Sequence, residues 1–194
     1  MKIRSVFILT AWLLAGCFGG GNRVSEPEFY LLRADVQLPD GPQAPAVTVG
    51  IARVSIADYL GQAGIVVASG GNQVRPARQH LWAEPLDSSI RLFLRDAISS
   101  ELGYPIYGDT AKRLSWDYRI DIRIDEWHGS LEGDVKMLAS WTVIDVSNDT
   151  ELVRHRFERM IGMTDDGYDA LVEAQKSLLS ELAVAISASL DGIE

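Results

Sequence analysis

The stretch SWDYRIDIRIDEW, residues 115–127, decides the fold. Trp116, Tyr118, Ile120, Ile122 and Ile124 fall on one side of an extended chain. Asp117, Arg119, Asp121, Arg123 and Asp125 fall on the other. A period of two over this length is the pattern of a β-strand with one face in a core and one in water. The charged set alternates in sign. Each Asp has an Arg beside it to keep it ionised, so paired carboxylates for acid–base catalysis are not expected. The charged side reads as a solvated sheet face, with a partner interface as the alternative.

Downstream, residues 128–134 hold two glycines and read as a connection. Val135, Met137, Ala139, Trp141 and Val143 form the apolar side of a second strand. Residues 147–150 turn the chain, and Val153, Phe157 and Ile161 mark a third strand, which completes an antiparallel meander. His155 shares the apolar side of that strand and reads as a satisfied or edge histidine. A final helix is expected from Asp165 or Asp166, either of which is placed to cap it. Its stripe is Leu171, Ala174, Leu178, Leu182, Ala185, Ile186 and Leu190, and Asp191-Gly192 ends it.

Upstream, residues 85–102 form a first helix with Ile90, Phe93, Leu94, Ala97, Ile98 and Leu102 in its stripe. Pro85 suits a first turn and Gly103 a stop. Residues 104–107 follow as a short strand. Residues 64–68 and 73–76 flank Ser69-Gly70-Gly71-Asn72 and predict a hairpin. Val47, Val49 and Ile51 alternate in another strand, residues 55–60 make one helical turn, and residues 28–33 make a short strand. Residues 36–45 hold three prolines and form a loop. The expected fold is a single α/β domain over residues 28–194, a mixed or largely antiparallel sheet packed by two long amphipathic helices.

The first 16 residues read as a signal peptide. Lys2 and Arg4 precede an apolar run from Val6 to Ala15 that is broken only by Thr10. That run is too short for a permanent span, which needs about 20 residues. It ends in Leu14-Ala15-Gly16-Cys17, which is similar to a bacterial lipobox. The motif implies diacylglycerol on Cys17, cleavage after Gly16 and an acyl chain on the new amino terminus. Several acyl chains would hold the protein on a membrane durably. Phe18 stands where an Asp would resemble an inner-membrane retention signal, which points to the periplasmic face of the outer membrane. Residues 17–27, with Gly19, Gly20 and Gly21, read as a lipidated flexible tether.

Composition narrows the function. The chain has 194 residues, 47% hydrophobic and 23% charged, enough for one packed domain. The formal net charge is −9, and loss of Lys2 and Arg4 with the leader takes the side-chain charge to −11. That balance argues against nucleic acid as a partner. The single Cys excludes an intrachain disulfide and a cysteine zinc site. His80, His128 and His155 match no local metal motif, so no metal is expected. Nucleophile elbows, phosphate loops and other catalytic signatures are missing from the sequence, and an enzyme is not expected. The expected cofactor set is empty beyond the lipid on Cys17.

Three further segments resemble one family. They are Ile56-Ala57-Asp58-Tyr59-Leu60 with Gly64-Ile65-Val66-Val67, then Gln79-His80-Leu81-Trp82-Ala83-Glu84-Pro85-Leu86-Asp87, then Asp166-Gly167-Tyr168-Asp169-Ala170-Leu171-Val172. Ile124-Asp125-Glu126-Trp127-His128-Gly129 through Trp141 follows the same pattern. Together they resemble the ABC-type transport auxiliary lipoproteins of the PqiC-like group. Many members carry Arg where this chain has Ser69 and Leu81, and no electrostatic role is assigned to those two positions. The resemblance implies a non-enzymatic lipoprotein on the outer membrane. It would form a homo-oligomeric ring and receive an MCE-domain tunnel protein that moves lipid between membranes. It marks Trp82, Glu84, Pro85, Leu86, Gly167 and Tyr168 as structural or partner-contact residues. Trp82 reads first as a packing anchor at the helix entry, and otherwise as an exposed contact. A competing reading is an envelope scaffold or activator that contacts cell-wall or secretion machinery without moving lipid. A lipid carrier would need an apolar cavity, for which the sequence offers no surplus of apolar residues.

Overall fold

The strand read at residues 115–127 runs from Tyr118 to Gly129 and lies at the centre of a sheet. The computed structural model describes residues 26–37, 47–108, 116–131 and 133–191. In chain order the elements are β1 (Glu28–Tyr30), β2 (Val49–Ile56), a 3-10 turn (Asp58–Leu60), β3 (Gly64–Ala68), β4 (Val74–Trp82), α1 (Leu86–Leu102), β5 (Tyr107–Gly108), β6 (Tyr118–Gly129), β7 (Asp134–Asp145), β8 (Thr150–Gly162) and α2 (Tyr168–Leu190). The strands form one eight-stranded mixed sheet. Leu14, Ala15, Gly16, Cys17 and the tether as far as Ser25 lie outside the described residues, as do most of the proline loop, Ser115 and Gly192.

β6 pairs with β7 along its whole length, and β7 with β8, all antiparallel, which is the expected meander. The other side of β6 is divided. β2 runs parallel to it from Tyr118 to Ile124, and β3 meets it at Gly129. Beyond β2 lies β5, and beyond β3 lie β4 and β1. A bulge at Asp125 marks the division. An extra residue in a strand reverses which side chains face the core. Ile120, Ile122 and Ile124 are buried before it, and Trp127 is buried after it. The Ala57 N–H donates to the Ile124 carbonyl at 2.9 Å and ends β2 at that point. The 3-10 turn then carries the chain from β2 to β3, where one helical turn was expected.

Two glycines make the crowding at this junction possible. A Cβ on Gly64 would overlap the Ala77 carbonyl, and one on Gly129 would overlap the Asp134 carbonyl. The β3–β4 hairpin turns at Gly70 and Gly71, both at positive φ, as the Gly-Gly-Asn signal predicted. β4 does not stop near Pro76 but continues to Trp82. Its pairing slips between Val66↔Pro76 and Gly64↔Leu81, so its residues do not alternate and the strand leaves no periodic trace. The strand expected at residues 28–33 is confined to Glu28–Tyr30, and that at residues 104–107 is reduced to Tyr107–Gly108.

Both helices cover one face of the sheet. Ile90, Phe93, Leu94 and Ile98 of α1 and Leu171, Leu178, Leu182 and Ile186 of α2 are buried in one continuous core with Ile120, Ile122, Ile124 and Trp127. Trp127 Nε1 donates to the Gln175 carbonyl, and Gln175 Nε2 donates to the Trp127 carbonyl, both at 3.3 Å, so sheet and helix are cross-linked by a reciprocal pair. The start of α2 differs from expectation. Gly167, at φ +102, occupies the N-cap position, and neither Asp165 nor Asp166 caps the helix. Asp165 instead accepts the Asp166 N–H at 2.9 Å. The Gly167 N–H donates to the Leu131 carbonyl at 3.0 Å, which seats the helix start on the β6–β7 turn.

The Gly64 contact is testable. Gly64→Ala should lower stability by about 1–3 kcal/mol through overpacking against backbone that has no room to move. Urea unfolding checks this, and an unchanged midpoint would show that β3 and β4 are not so closely apposed.

Candidate functional site

The residues marked by the family resemblance gather where β1 and β4 meet the starts of both helices. Trp82 ends β4 with its ring stacked on Trp127, centroids 5.7 Å apart and planes 9° from parallel. It is 7% exposed, so it is a packing anchor. Glu84 follows in the short link to α1. Arg33 Nη2 reaches both of its carboxylate oxygens at 2.8 Å, and the Ser89 hydroxyl adds a bond at 3.2 Å. The Arg33 guanidinium holds the Glu84 carboxyl below its ordinary pKa. Pro85 stands at the N-cap of α1 and Leu86 is buried beneath it.

Tyr168 opens α2 and stacks on His80 of β4, with centroids 3.8 Å apart. The Tyr30 hydroxyl lies within hydrogen-bonding distance of Asp169 at 2.9 Å, His80 Nδ1 at 3.1 Å and Glu28 at 3.2 Å. Burial, then the Asp169 hydrogen bond, raises the Tyr30 pKa well above its usual value, so the phenol stays protonated. Further along, Lys176 of α2 donates to Asp35 at 2.7 Å, and that bond raises the Lys176 pKa.

Taken together, these contacts fasten the segment from Glu28 to Asp35 to the body in three places. β1 pairs with β4, Arg33 grips Glu84, and Asp35 accepts Lys176. This is the entry point of the chain from its amino-terminal side. A pull on that side is passed to a strand and to both helix starts. Chemically, the cluster is a clamp of ion pairs and stacked rings. Among the described residues, no group of three or more His, Asp or Glu side chains is placed to hold a metal ion. Sequence reasoning found the Trp82 and Tyr168 segments and missed their partners. Arg33 and Glu84 are 51 positions apart, and Asp35 and Lys176 are 141 apart, so no local spacing signals either pair.

A second cluster explains the segment from Ile56 to Leu60. Tyr59, in the 3-10 turn, lies over the bulge of β6, with its hydroxyl 2.9 Å from His128 Nδ1 and the rings edge to face. Burial lowers the His128 pKa against the opposing pull of Glu126, and Lys136 lowers it further. The folded protein therefore favours neutral His128.

The sequence profile of one family, the ABC-type transport auxiliary lipoprotein component, matches residues 30–187. The chain belongs to that family. Both sequence clusters and the central strand lie within the match. Two relatives named intermembrane transport lipoprotein PqiC, from Escherichia coli K12 and Shigella flexneri, are 25% identical over 187 residues, covering 96% of this chain and 96% of each relative. The fold is shared with solved structures. A protein titled only as uncharacterised superposes with a TM-score of 0.71 at 22% identity, covering 85% of this chain and 99% of its own. XCC0632 from Xanthomonas campestris gives 0.67 at 13% identity, covering 86% and 100%. As an auxiliary lipoprotein, the chain is of a class held at a membrane by lipid. Among the described residues, no helix is long and apolar enough to cross one.

His128 sets a pH expectation. Its folded pKa lies below the unfolded value of about 6.5, so the unfolded chain binds more protons just below neutrality and stability falls as pH drops through that window. Denaturation midpoints should decline from pH 7 to pH 5 in the wild type and decline less in His128→Asn. Equal slopes would remove His128 from the account of the junction.

Proposed function

We propose that this protein is the outer-membrane-anchored, non-enzymatic auxiliary subunit of an MCE-type intermembrane lipid transport system. The observation that carries the reading is the full-length correspondence with the PqiC lipoproteins within the matched family. Cys17 is the lipid attachment site, and Leu14, Ala15 and Gly16 are the signal that leads to it. The 11 residues from Cys17 to Pro27 reach about 36–40 Å when extended. The body can therefore stand clear of the periplasmic leaflet while remaining attached.

The entry clamp supports this reading mechanically. A subunit that docks a partner reaching across the periplasm bears load between its lipid and its body. Arg33–Glu84, Asp35–Lys176 and the Tyr30 cluster carry that load into the sheet and helices. The partner is an MCE-domain tunnel protein, and the working form is a homo-oligomeric ring. A strand edge supports self-association, since among the described residues β8 is paired on one side alone.

Affinity purification of the lipidated protein from gently solubilised envelopes tests the proposal. An MCE-domain chain should co-purify. Cys17→Ala should leave the washed membrane fraction and lose most of that yield. Recovery of cell-wall or secretion components with no MCE-domain chain would contradict the transport role.

A further inference from the structure

We propose that the open face of the sheet holds a phosphate-binding site formed by Arg53, Arg123 and Arg154 around the hydroxyls of Ser140 and Thr142. This site is independent of the transport reading. Strand register places the residues in two rows across four strands. One row is Arg53 on β2, Asp121 on β6, Thr142 on β7 and Arg154 on β8. The next is Ser55, Arg123, Ser140 and Arg156 on the same strands. All of these side chains point away from the helices, because their neighbours Ile122, Trp141 and Val143 are buried on the helix side.

The rows enclose a shallow basin of about 250 Å³ lined by Arg53, Asp121, Arg123, Ser140, Thr142 and Arg154. One of its three guanidinium groups and both of its central hydroxyls are uncommitted among the described residues. Arg53 is exposed and has no ion-pair partner among the described residues, and the Ser140 and Thr142 hydroxyls have no hydrogen-bond partner there. Arg123 pairs with Asp125 and Arg154 with Glu151, each at 2.6 Å, and neither carboxylate lines the basin. Exposed pairs of this kind are weak, so an anion in the basin competes with them readily. The one carboxylate inside is Asp121, which faces Arg119 at 3.4 Å. Guanidinium groups from three strands, lining one basin with two hydroxyl groups, suit an anion with more than two acceptor oxygens. A carboxylate would satisfy one fork and leave the others unused. A phosphate, either free or in a lipid headgroup, engages several.

The clearest feature against a merely solvated face is that these residues share one basin. An alternating charge ladder on one strand cancels along its own length. Here the register also lines up Arg53 and Arg154 across the sheet from opposite sides, with neutral hydroxyls between Arg123 and Arg156 and beside Asp121. That row is positive at both ends, with Asp121 and the Thr142 hydroxyl between them, and the adjoining row sets the Ser140 hydroxyl between Arg123 and Arg156.

Amide NMR of the full chain carrying Cys17→Ala, titrated with inorganic phosphate, tests the site. Phosphate should shift the amides around Arg53, Ser140, Thr142 and Arg154, while chloride at equal ionic strength should not. Arg53→Ala combined with Arg154→Ala should weaken the response roughly tenfold, with an unchanged melting temperature. The surface pair Arg75→Ala and Arg78→Ala should leave it intact. Sedimentation with phosphatidylcholine vesicles containing phosphatidylglycerol separates the sources. Vesicle binding that free phosphate displaces assigns a lipid headgroup, and a phosphate response without vesicle binding assigns a soluble phosphate compound. Absence of a phosphate-specific shift, or an equal shift in the Arg53/Arg154 double variant, would overturn the proposal.

Discussion

The structure depends on one strand that must satisfy three partners. β6 gives one edge entirely to β7 and divides the other between β2 and β3. A strand has a single row of backbone groups on each side, so β2 has to end before β3 begins. The bulge at Asp125, the Ala57 N–H bond to Ile124 and the 3-10 turn that carries Tyr59 are how the chain meets that demand. The bulge also turns Trp127 into the core, where it stacks on Trp82 and exchanges bonds with Gln175. Strand division, helix docking and the placement of the entry clamp thus share one local irregularity.

What could be read from the sequence follows from period. Residues 118–124, 135–143 and 153–161 kept their alternation, so the meander and its buried face were legible. Both helices were legible from their stripes. The bulge was not, because an extra residue changes which side chains are buried without changing composition. The part of β4 beyond Pro76 was lost for a similar reason. Its slipped register and Pro76 erase the alternation that marks a strand. The start of α2 was misplaced because Asp165 and Asp166 are good caps by type, yet the Gly167 N–H bond to Leu131 fixes the helix start two residues later than the first of them.

The candidate site shows the same division. Trp82 and Tyr168 were visible as unusual local segments, and the structure brings them to one corner. Their meaning lay in contacts between residues far apart in sequence, Trp82 with Trp127, Tyr168 with His80 and Glu84 with Arg33, which only the fold brings near. The corner joins an amino-terminal segment to the centre of the domain. For a member of a lipoprotein family, that is the place where attachment to a membrane becomes attachment of the folded body. The opposite, open face of the sheet bears a different chemistry, in which arginines and hydroxyls from four strands are set side by side by register alone.

Native-state hydrogen exchange tests the central role of β6 most directly. Amides of residues 119–124 are expected to be among the slowest in the chain, exchanging only with global unfolding, while those of the edge strand β8 exchange sooner. Exchange of residues 119–124 as fast as β8, with α2 still protected, would contradict the view that this strand holds the rest together.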